Sequence, residues 1–273
     1  MYNINHFEIK DIEMIKLIRF ANYKYFNNLF VKLTDSSFAE YVDTRNAILM
    51  INTFANLTEC KNLYRWDTSK VISLKSCFSF CRHIESYEGI SKWNLSSLIS
   101  LDRTFSWNIN IRSFKSLSSW RFTNLLYLSH TFSNDKSLID LEGISEWNVD
   151  SVVDFSYAFH GCSSLTNLKG LEHWHVNPNA NFTRMFLNCY ELTDCSAIDN
   201  WNLTKNYEGI FNGCNNITRY PIWYDKNNDK VDKFDSFRTL PEEKEFYQIR
   251  EKFYRDNVVK KYESLKRSFA QVL

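Results

Sequence analysis

Residues 147–174 read WNVDSVVDFSYAFHGCSSLTNLKGLEHW, a stretch that begins and ends on tryptophan. The same tryptophan recurs at an interval of 27 residues, at Trp66, Trp93, Trp120, Trp147, Trp174 and Trp201. A phenylalanine stands twelve residues after each of the first five, and two residues early after the sixth, at Phe211. Self-similarity with a period of roughly 20–50 residues is typical of repeat architectures. The sequence therefore predicts a stack of equivalent units.

Within one unit, successive patterns predict a short strand, a short helix and an apolar return. Trp147 and Val149 lie two residues apart, as on one face of a strand. Asp150 belongs to a column of Ser, Thr, Asp and Asn, the residues preferred at helix N-caps. Apolar residues at helical spacing around Phe155 follow, and then one apolar residue in every three. We therefore expect an α/β repeat solenoid with about 6–7 coils of 27 residues and with helical N- and C-terminal caps.

The position predicted to end each helix favours a left-handed backbone in four units, where it is Asn134, Gly161, Asn188 and Gly213. The first two units have Phe80 and Trp107 there instead. The same ending is therefore not predicted for those two units.

A second column contains only small residues: Cys81, Asn108, Asp135, Cys162, Cys189 and Cys214. Each can form a hydrogen bond to a neighbouring backbone, and their interchange at one position favours a hydrogen-bonded ladder over a metal site or a disulfide. Cys77 and Cys81 have no second pair to complete a zinc site. We therefore expect free thiols and no cofactor.

Charge and hydropathy bear on the compartment and on the class of partner. Thirty-three basic and 32 acidic residues give a net charge of +1, so a surface covered in positive charge is excluded and no nucleic acid partner is expected. The N-terminal residues lack the basic and apolar pattern of a secretory signal, and no apolar run is long enough to span a membrane. These patterns predict a cytoplasmic protein, with export by another route left open.

The chain resembles the BspA-type leucine-rich-repeat proteins, a bacterial family of W-D-x-S…M-F-x-x-C repeats. The matching stretches include Trp66-Asp-Thr-Ser-Lys-Val71 with Cys77-Phe78-Ser-Phe-Cys81, and the resemblance covers roughly residues 57–220. It implies a leucine-rich-repeat-like solenoid, no catalysis, and recognition of proteins or cell surfaces. Because many members are exported, a surface adhesin or effector is an alternative function.

Both ends of the chain depart from the period. We expect residues 1–56 to form a helical N-terminal cap with a degenerate first repeat at Ala47–Phe54, and residues 57–220 to form the solenoid. Residues 221–273 are predicted to form a hairpin or loop and a C-terminal amphipathic helix from Pro241. That helix either caps the stack or docks a partner through its basic end at Lys260, Lys261, Lys266 and Arg267.

The residues on either side of each tryptophan are predicted to point outward and to bind another protein. This row contains the candidate partner-binding residues Arg65, Asp67, Lys92, Asn94, Arg121, Glu146, Asn148, His173, His175 and Asn202. Extended faces of this kind are the binding surfaces of repeat proteins. The terminal caps are the other candidate surface, and plain solvation of the row is the alternative without function.

No motif predicts catalysis, because the polar residues mostly follow the repeat and no Walker, dinucleotide or zincin motif occurs. The chain is therefore predicted not to be an enzyme, with a site in the non-repeat ends as the remaining alternative. His173 and His175 lie two residues apart, but His160 belongs to another segment, so a metal site is not predicted. The oligomeric state is not determined by the sequence.

Overall fold

The computed structural model of the chain describes residues 23–226 together with Ile12, Ile15 and Asp229. The chain divides into two units, Met1–Lys230 and Val231–Leu273, and the second lies outside the described residues. The predicted C-terminal helix therefore also lies outside them. The predicted division into three domains stays a prediction.

Short 3₁₀ helices and turns are the main elements of residues 23–226. The 3₁₀ helices are Ser37–Tyr41, Lys61–Arg65, Glu88–Ile90, Lys115–Leu117, Glu142–Ile144, Leu171–His173 and Ser196–Trp201. Most of them lie within the stretches that have one apolar residue in every three, which agrees with three residues per 3₁₀ turn. Ile12 and Ile15 lie in a helix, and no described helix has the length and apolar content that a membrane crossing needs.

The predicted α/β solenoid is wrong. Residues 23–226 contain no α-helix and no strand beyond isolated bridges, so the units are not strand-plus-helix coils and the leucine-rich-repeat description does not apply. Parallel bridges instead join single residues of successive segments. One series of bridges links Tyr25, Leu49, Ser73, Ser100, Tyr127, Asp154 and Asn181 in turn. A second series links Ser113 to Asp140, and Asn167 to Asp194 and then Arg219.

Phenylalanine rings form a continuous stack through the core. Neighbouring rings have centroids 5.1–6.0 Å apart and planes within 29° of each other. The stack runs through Phe30, Phe54, Phe78, Phe105, Phe132, Phe159, Phe186 and Phe211. We call the segment that contributes each ring a tier.

The predicted helix in each tier is replaced by consecutive turns. The backbone N–H groups of Phe155, Tyr157, Phe159 and Gly161 donate to carbonyl oxygens of the next tier at 2.8–3.1 Å, while the amides of Ala158, His160 and Cys162 bond within their own tier. An α-helix would use all of these amides internally. Positive φ angles of 57° at Tyr157 and 72° at Gly161 accompany this alternation. The spacing of the apolar residues therefore predicted correctly which residues are buried, but it did not predict the type of secondary structure.

The position predicted to be left-handed has positive φ in all four expected tiers, at Asn134, Gly161, Asn188 and Gly213. Phe80 and Trp107, for which this ending was not predicted, also have positive φ angles of 60° and 66°. The backbone is therefore the same in all six tiers, whichever residue stands there.

Buried tryptophans fasten each tier to the one before it. All six have 5% or less of their surface exposed. The indole N–H of Trp120 donates to the carbonyl oxygen of Ile90 at 3.0 Å, and that of Trp174 to Ile144 at 2.9 Å. Trp147 stacks on Trp120 with ring centroids 5.9 Å apart. The first five indoles therefore contribute both apolar burial and a hydrogen bond between tiers, whereas the buried indole N–H of Trp201 has no hydrogen-bond partner among the described residues.

The N-terminal region holds further tiers where helices were predicted. Residues 27–30 and 51–56 form turns, so the helical cap expected over residues 1–56 is wrong in these segments. Phe30, Phe54 and Phe78 are spaced by 24 residues rather than 27, yet their rings stack. The shorter spacing explains why the 27-residue period did not reveal these tiers.

Candidate functional site

The predicted partner-binding row is exposed along its whole length. All ten residues are exposed, and each adjoins a buried tryptophan. We call this row the Trp-flanking row; its members are Arg65, Asp67, Lys92, Asn94, Arg121, Glu146, Asn148, His173, His175 and Asn202. The alternation of exposed and buried side chains was thus predicted correctly, although the segments are not strands.

Several members of the Trp-flanking row shape their own tier. The side-chain Oδ1 atoms of Asp67, Asn94 and Asn148 each accept the backbone N–H two residues later, at 3.0–3.1 Å. The Ser69 hydroxyl also donates to Asp67, and this hydrogen bond lowers the pKa of the carboxyl. These turns occupy the place where a helix N-cap was predicted, so the capping group lies two residues earlier than expected.

Two arginines of the row are held against their own tier. The Arg121 Nη1 atom donates to the carbonyl oxygens of Ser118 and Trp120 at 2.7 and 2.9 Å, and Arg65 Nε donates to the Tyr64 hydroxyl at 2.7 Å. Their charges therefore have fixed positions on the surface.

Other members of the row have no intramolecular partner. In the described part of the chain, no hydrogen bond or ion pair engages the side chains of Lys92, Glu146, His173 and His175. Their polar groups face solvent and remain available to a second molecule.

A second polar surface, not identified from the sequence, follows the first series of bridges. His130 stacks on Tyr157 with centroids 4.6 Å apart, and Arg184 Nη1 donates to the Tyr157 hydroxyl at 2.6 Å. In the preceding tiers Asp102 forms ion pairs with Lys75 at 3.2 Å and with Arg103 at 3.1 Å. These polar side chains occupy equivalent positions in successive tiers. Aligning the repeat units position by position would therefore have identified them from the sequence.

The cysteine column is a hydrogen-bonded ladder, as predicted. The Sγ atoms of Cys81, Cys162, Cys189 and Cys214 lie 3.0–3.3 Å from carbonyl oxygens of the preceding tier. All seven cysteines are free and buried. Burial raises the pKa of Cys60 to about 12 and raises the pKa of Cys162 as well. A buried protonated thiol is a poor nucleophile, so Cys60 and Cys162 serve packing and hydrogen bonding. At Cys214 the hydrogen bond with Cys189 lowers the pKa of the thiol instead.

Two members of the same column form a buried polar cluster with Tyr87. The backbone N–H of Asn108 donates to Asp135 Oδ1 at 2.8 Å, and Asn108 Nδ2 donates to the Tyr87 hydroxyl at 2.6 Å. Asp135 is fully buried, and desolvation raises the pKa of its carboxyl well above the usual range. The cluster has no access to solvent and therefore no access to a substrate.

The histidines are not brought together into a metal site. His173 and His175 are exposed beside Trp174, whereas His160 is partly buried, where burial and then the Arg184 charge lower its pKa. Among the described residues, no group of three or more His, Cys, Asp and Glu side chains has the arrangement of metal ligands.

The repeated tiers coincide with the region shared with a known family. Residues 48–139 and 108–223 match the family described as Mycoplasma protein of unknown function, DUF285. The chain belongs to the DUF285 family. In this member, the matched region runs from the Phe54 tier to the aromatic residues around Trp223. No curated protein and no solved structure matches the chain.

Membership in DUF285 concerns the repeats and assigns no activity, because the family description states that the function is unknown. It does not bear on the BspA-type resemblance, which stays a prediction. The surfaces of this DUF285 member therefore have to be interpreted from their own chemistry.

Proposed function

We propose that the chain is a non-catalytic recognition scaffold that binds a partner protein through the Trp-flanking row. The observation that carries the proposal is a series of exposed polar side chains, one or two per tier, on a buried aromatic core. A rigid scaffold loses little conformational freedom on binding, which favours affinity. A cytoplasmic location and the absence of a nucleic acid partner remain predictions that accompany this proposal.

The charge along the row favours a partner that is acidic at one end. Arg65, Lys92 and Arg121 are the basic members and belong to the first three tryptophan units, whereas His173 and His175 stand near the other end. Complementary charge accelerates encounter and fixes the orientation of the partner. Lys92 contributes most directly, since no intramolecular bond has to be broken to engage it.

The test is affinity capture from the native cell by the full chain and by the triple variant Arg65→Glu, Lys92→Glu and Arg121→Glu. The control variant replaces Lys61, Lys115 and Lys169 with Glu; these exposed lysines stand five residues before a tryptophan and carry the same total charge. We expect the triple variant to capture at least about tenfold less partner than the parent protein. The control variant should capture as much partner as the parent protein. Equal capture by both variants would refute the row as the binding surface.

A further inference from the structure

Two aromatic residues stand where the backbone favours asparagine or glycine. The column with positive φ angles of 60–77° contains Asn56, Phe80, Trp107, Asn134, Gly161, Asn188 and Gly213. Bulky side chains are rare in this conformation, because Cβ crowds the backbone. Phe80 and Trp107 therefore oppose the local backbone preference in two adjacent tiers.

The two rings form one exposed unit. Phe80 and Trp107 stack with centroids 5.8 Å apart and planes within 8° of parallel. Phe80 is 39% exposed and Trp107 is partly exposed, in contrast to the buried phenylalanine stack of the core. The pair therefore lies outside the hydrophobic core and is accessible from solvent.

Two cations lie over the faces of these rings. The Arg82 guanidinium carbon is 5.5 Å from the Phe80 centroid, and the Lys136 ammonium nitrogen is 5.9 Å from the Trp107 centroid. Both side chains are exposed, and neither forms an ion pair or a side-chain hydrogen bond within the described residues. The ring faces hold the two charges in place without neutralising them.

The spacing of the cations follows from the repeat. Arg82 and Lys136 are 54 residues apart and occupy the same position two tiers apart, with the partly buried Ile109 at that position between them. Tiers that bond through their backbones are separated by roughly 4.8 Å, which places the two positions on the order of 10 Å apart. The surface thus has an apolar centre and a positive charge at each end.

We propose that Phe80, Arg82, Trp107 and Lys136 form a docking site for an acidic segment of a partner protein, separate from the Trp-flanking row. In an extended chain with three residues per turn, residues i and i+3 point the same way roughly 9 Å apart. Carboxylates at these positions reach Arg82 and Lys136 together, and an apolar residue between them packs on Ile109 and the ring edges. A nucleic acid fits less well, because base stacking needs open ring faces and these faces already contact each other and the cations.

The test uses fluorescence anisotropy with the labelled peptide Glu-Pro-Leu-Glu-Pro-Leu-Glu and the full chain. Control peptides replace Glu with Lys or Leu with Ser, and a labelled twelve-nucleotide oligothymidylate serves as the nucleic acid probe. One double variant, Arg82→Glu with Lys136→Glu, reverses the charges. A second, Phe80→Asn with Trp107→Asn, installs the residue that Asn134 and Asn188 already show to suit this backbone.

We expect each double variant to raise the peptide Kd at least about tenfold. The asparagine variant should keep its Tm within about 3 °C of the parent protein, because the substitution suits the backbone conformation. A Lys61→Glu, Lys169→Glu variant, with the same charge change elsewhere, should bind the peptide normally.

Absence of peptide binding at millimolar concentration, or a Kd unchanged by the asparagine variant, would overturn the proposal. Tighter binding of the oligothymidylate that depends on Phe80 and Trp107 would assign the patch to nucleic acid instead. The triple variant of the Trp-flanking row should bind the peptide like the parent protein, so the failure of either proposal can be recognised separately.

Discussion

Replacement of Asp135 by asparagine is expected to change how the stability of the protein depends on pH. Asp135 is completely buried, and its Oδ2 atom has no hydrogen-bond partner among the described residues. Its Oδ1 atom accepts the Asn108 N–H at 2.8 Å, a contact that an asparagine side chain can also make. Asn108 itself occupies the same column one tier earlier, so the core of this protein already accommodates an amide at this position.

The direction of the pH dependence follows from the pKa of Asp135, which desolvation raises. The folded state therefore keeps the carboxyl protonated to a higher pH than the unfolded chain, which ionises near its ordinary pKa of about 3.9. Unfolding therefore releases a proton above that pH, and stability falls as pH rises until the folded pKa is passed. Between the unfolded and folded pKa values, each pH unit lowers the free energy of unfolding by up to about 1.4 kcal/mol. From pH 5 to pH 7 the free energy of unfolding therefore falls by up to about 2.7 kcal/mol.

Urea unfolding at pH 5, 6 and 7 measures the difference between Asp135→Asn and the parent protein. We expect the variant to gain stability relative to the parent as pH rises. Asp194→Asn is the control: hydrogen bonds from Ser196 lower the pKa of Asp194, so its contribution is complete above the unfolded pKa and constant from pH 5 to 7. A constant difference between Asp135→Asn and the parent over this range would show that the buried carboxyl is not held neutral.

Two substitution sets test the contacts between tiers by urea unfolding. Gly89→Ala is expected to destabilise the protein by more than about 3 kcal/mol, since the new Cβ would lie 1.9 Å from the backbone oxygen of Cys60; an effect below 1 kcal/mol would contradict this close packing. Trp147→Ala is expected to cost about 3–5 kcal/mol through the loss of a buried ring and its hydrogen bond to Leu117, against about 0.5–1 kcal/mol for Asn148→Ala, which removes one turn hydrogen bond. Similar costs for these last two would mean that the buried and exposed positions are misassigned.

The sequence contained the register of the repeat but not the type of its elements. The spacing of Val152, Phe155, Ala158 and Phe159 identified buried positions correctly. That spacing is shared by a helix and by a series of turns, and local periodicity does not distinguish them. The choice between helix and turns depends on alternate backbone amides, which donate hydrogen bonds to the next tier. These hydrogen bonds join residues about 26 positions apart in the sequence.

For the candidate surfaces too, local features were predictable from the sequence and long-range contacts were not. Alternation around each tryptophan predicted the exposed Trp-flanking row, because exposure follows from local geometry. The stacked pair was not predicted as a surface, since it requires knowing that Phe80 and Trp107 share a backbone conformation in adjacent tiers. Their departure from the Asn and Gly of the other tiers was nevertheless visible in the sequence.

Because each tier forms backbone hydrogen bonds with its neighbours, residues that suit the shared backbone need no explanation beyond folding. The phenylalanine stack and the cysteine ladder belong to this class. Residues that do not suit the shared structure need another explanation for their presence. Whether such a residue is buried or exposed indicates whether it affects stability or contacts another molecule. Asp135 is fully buried and can contact nothing outside the protein, so its effect is confined to stability. Phe80 is exposed and lies beside an unpaired cation, so its proposed benefit is a contact with another molecule.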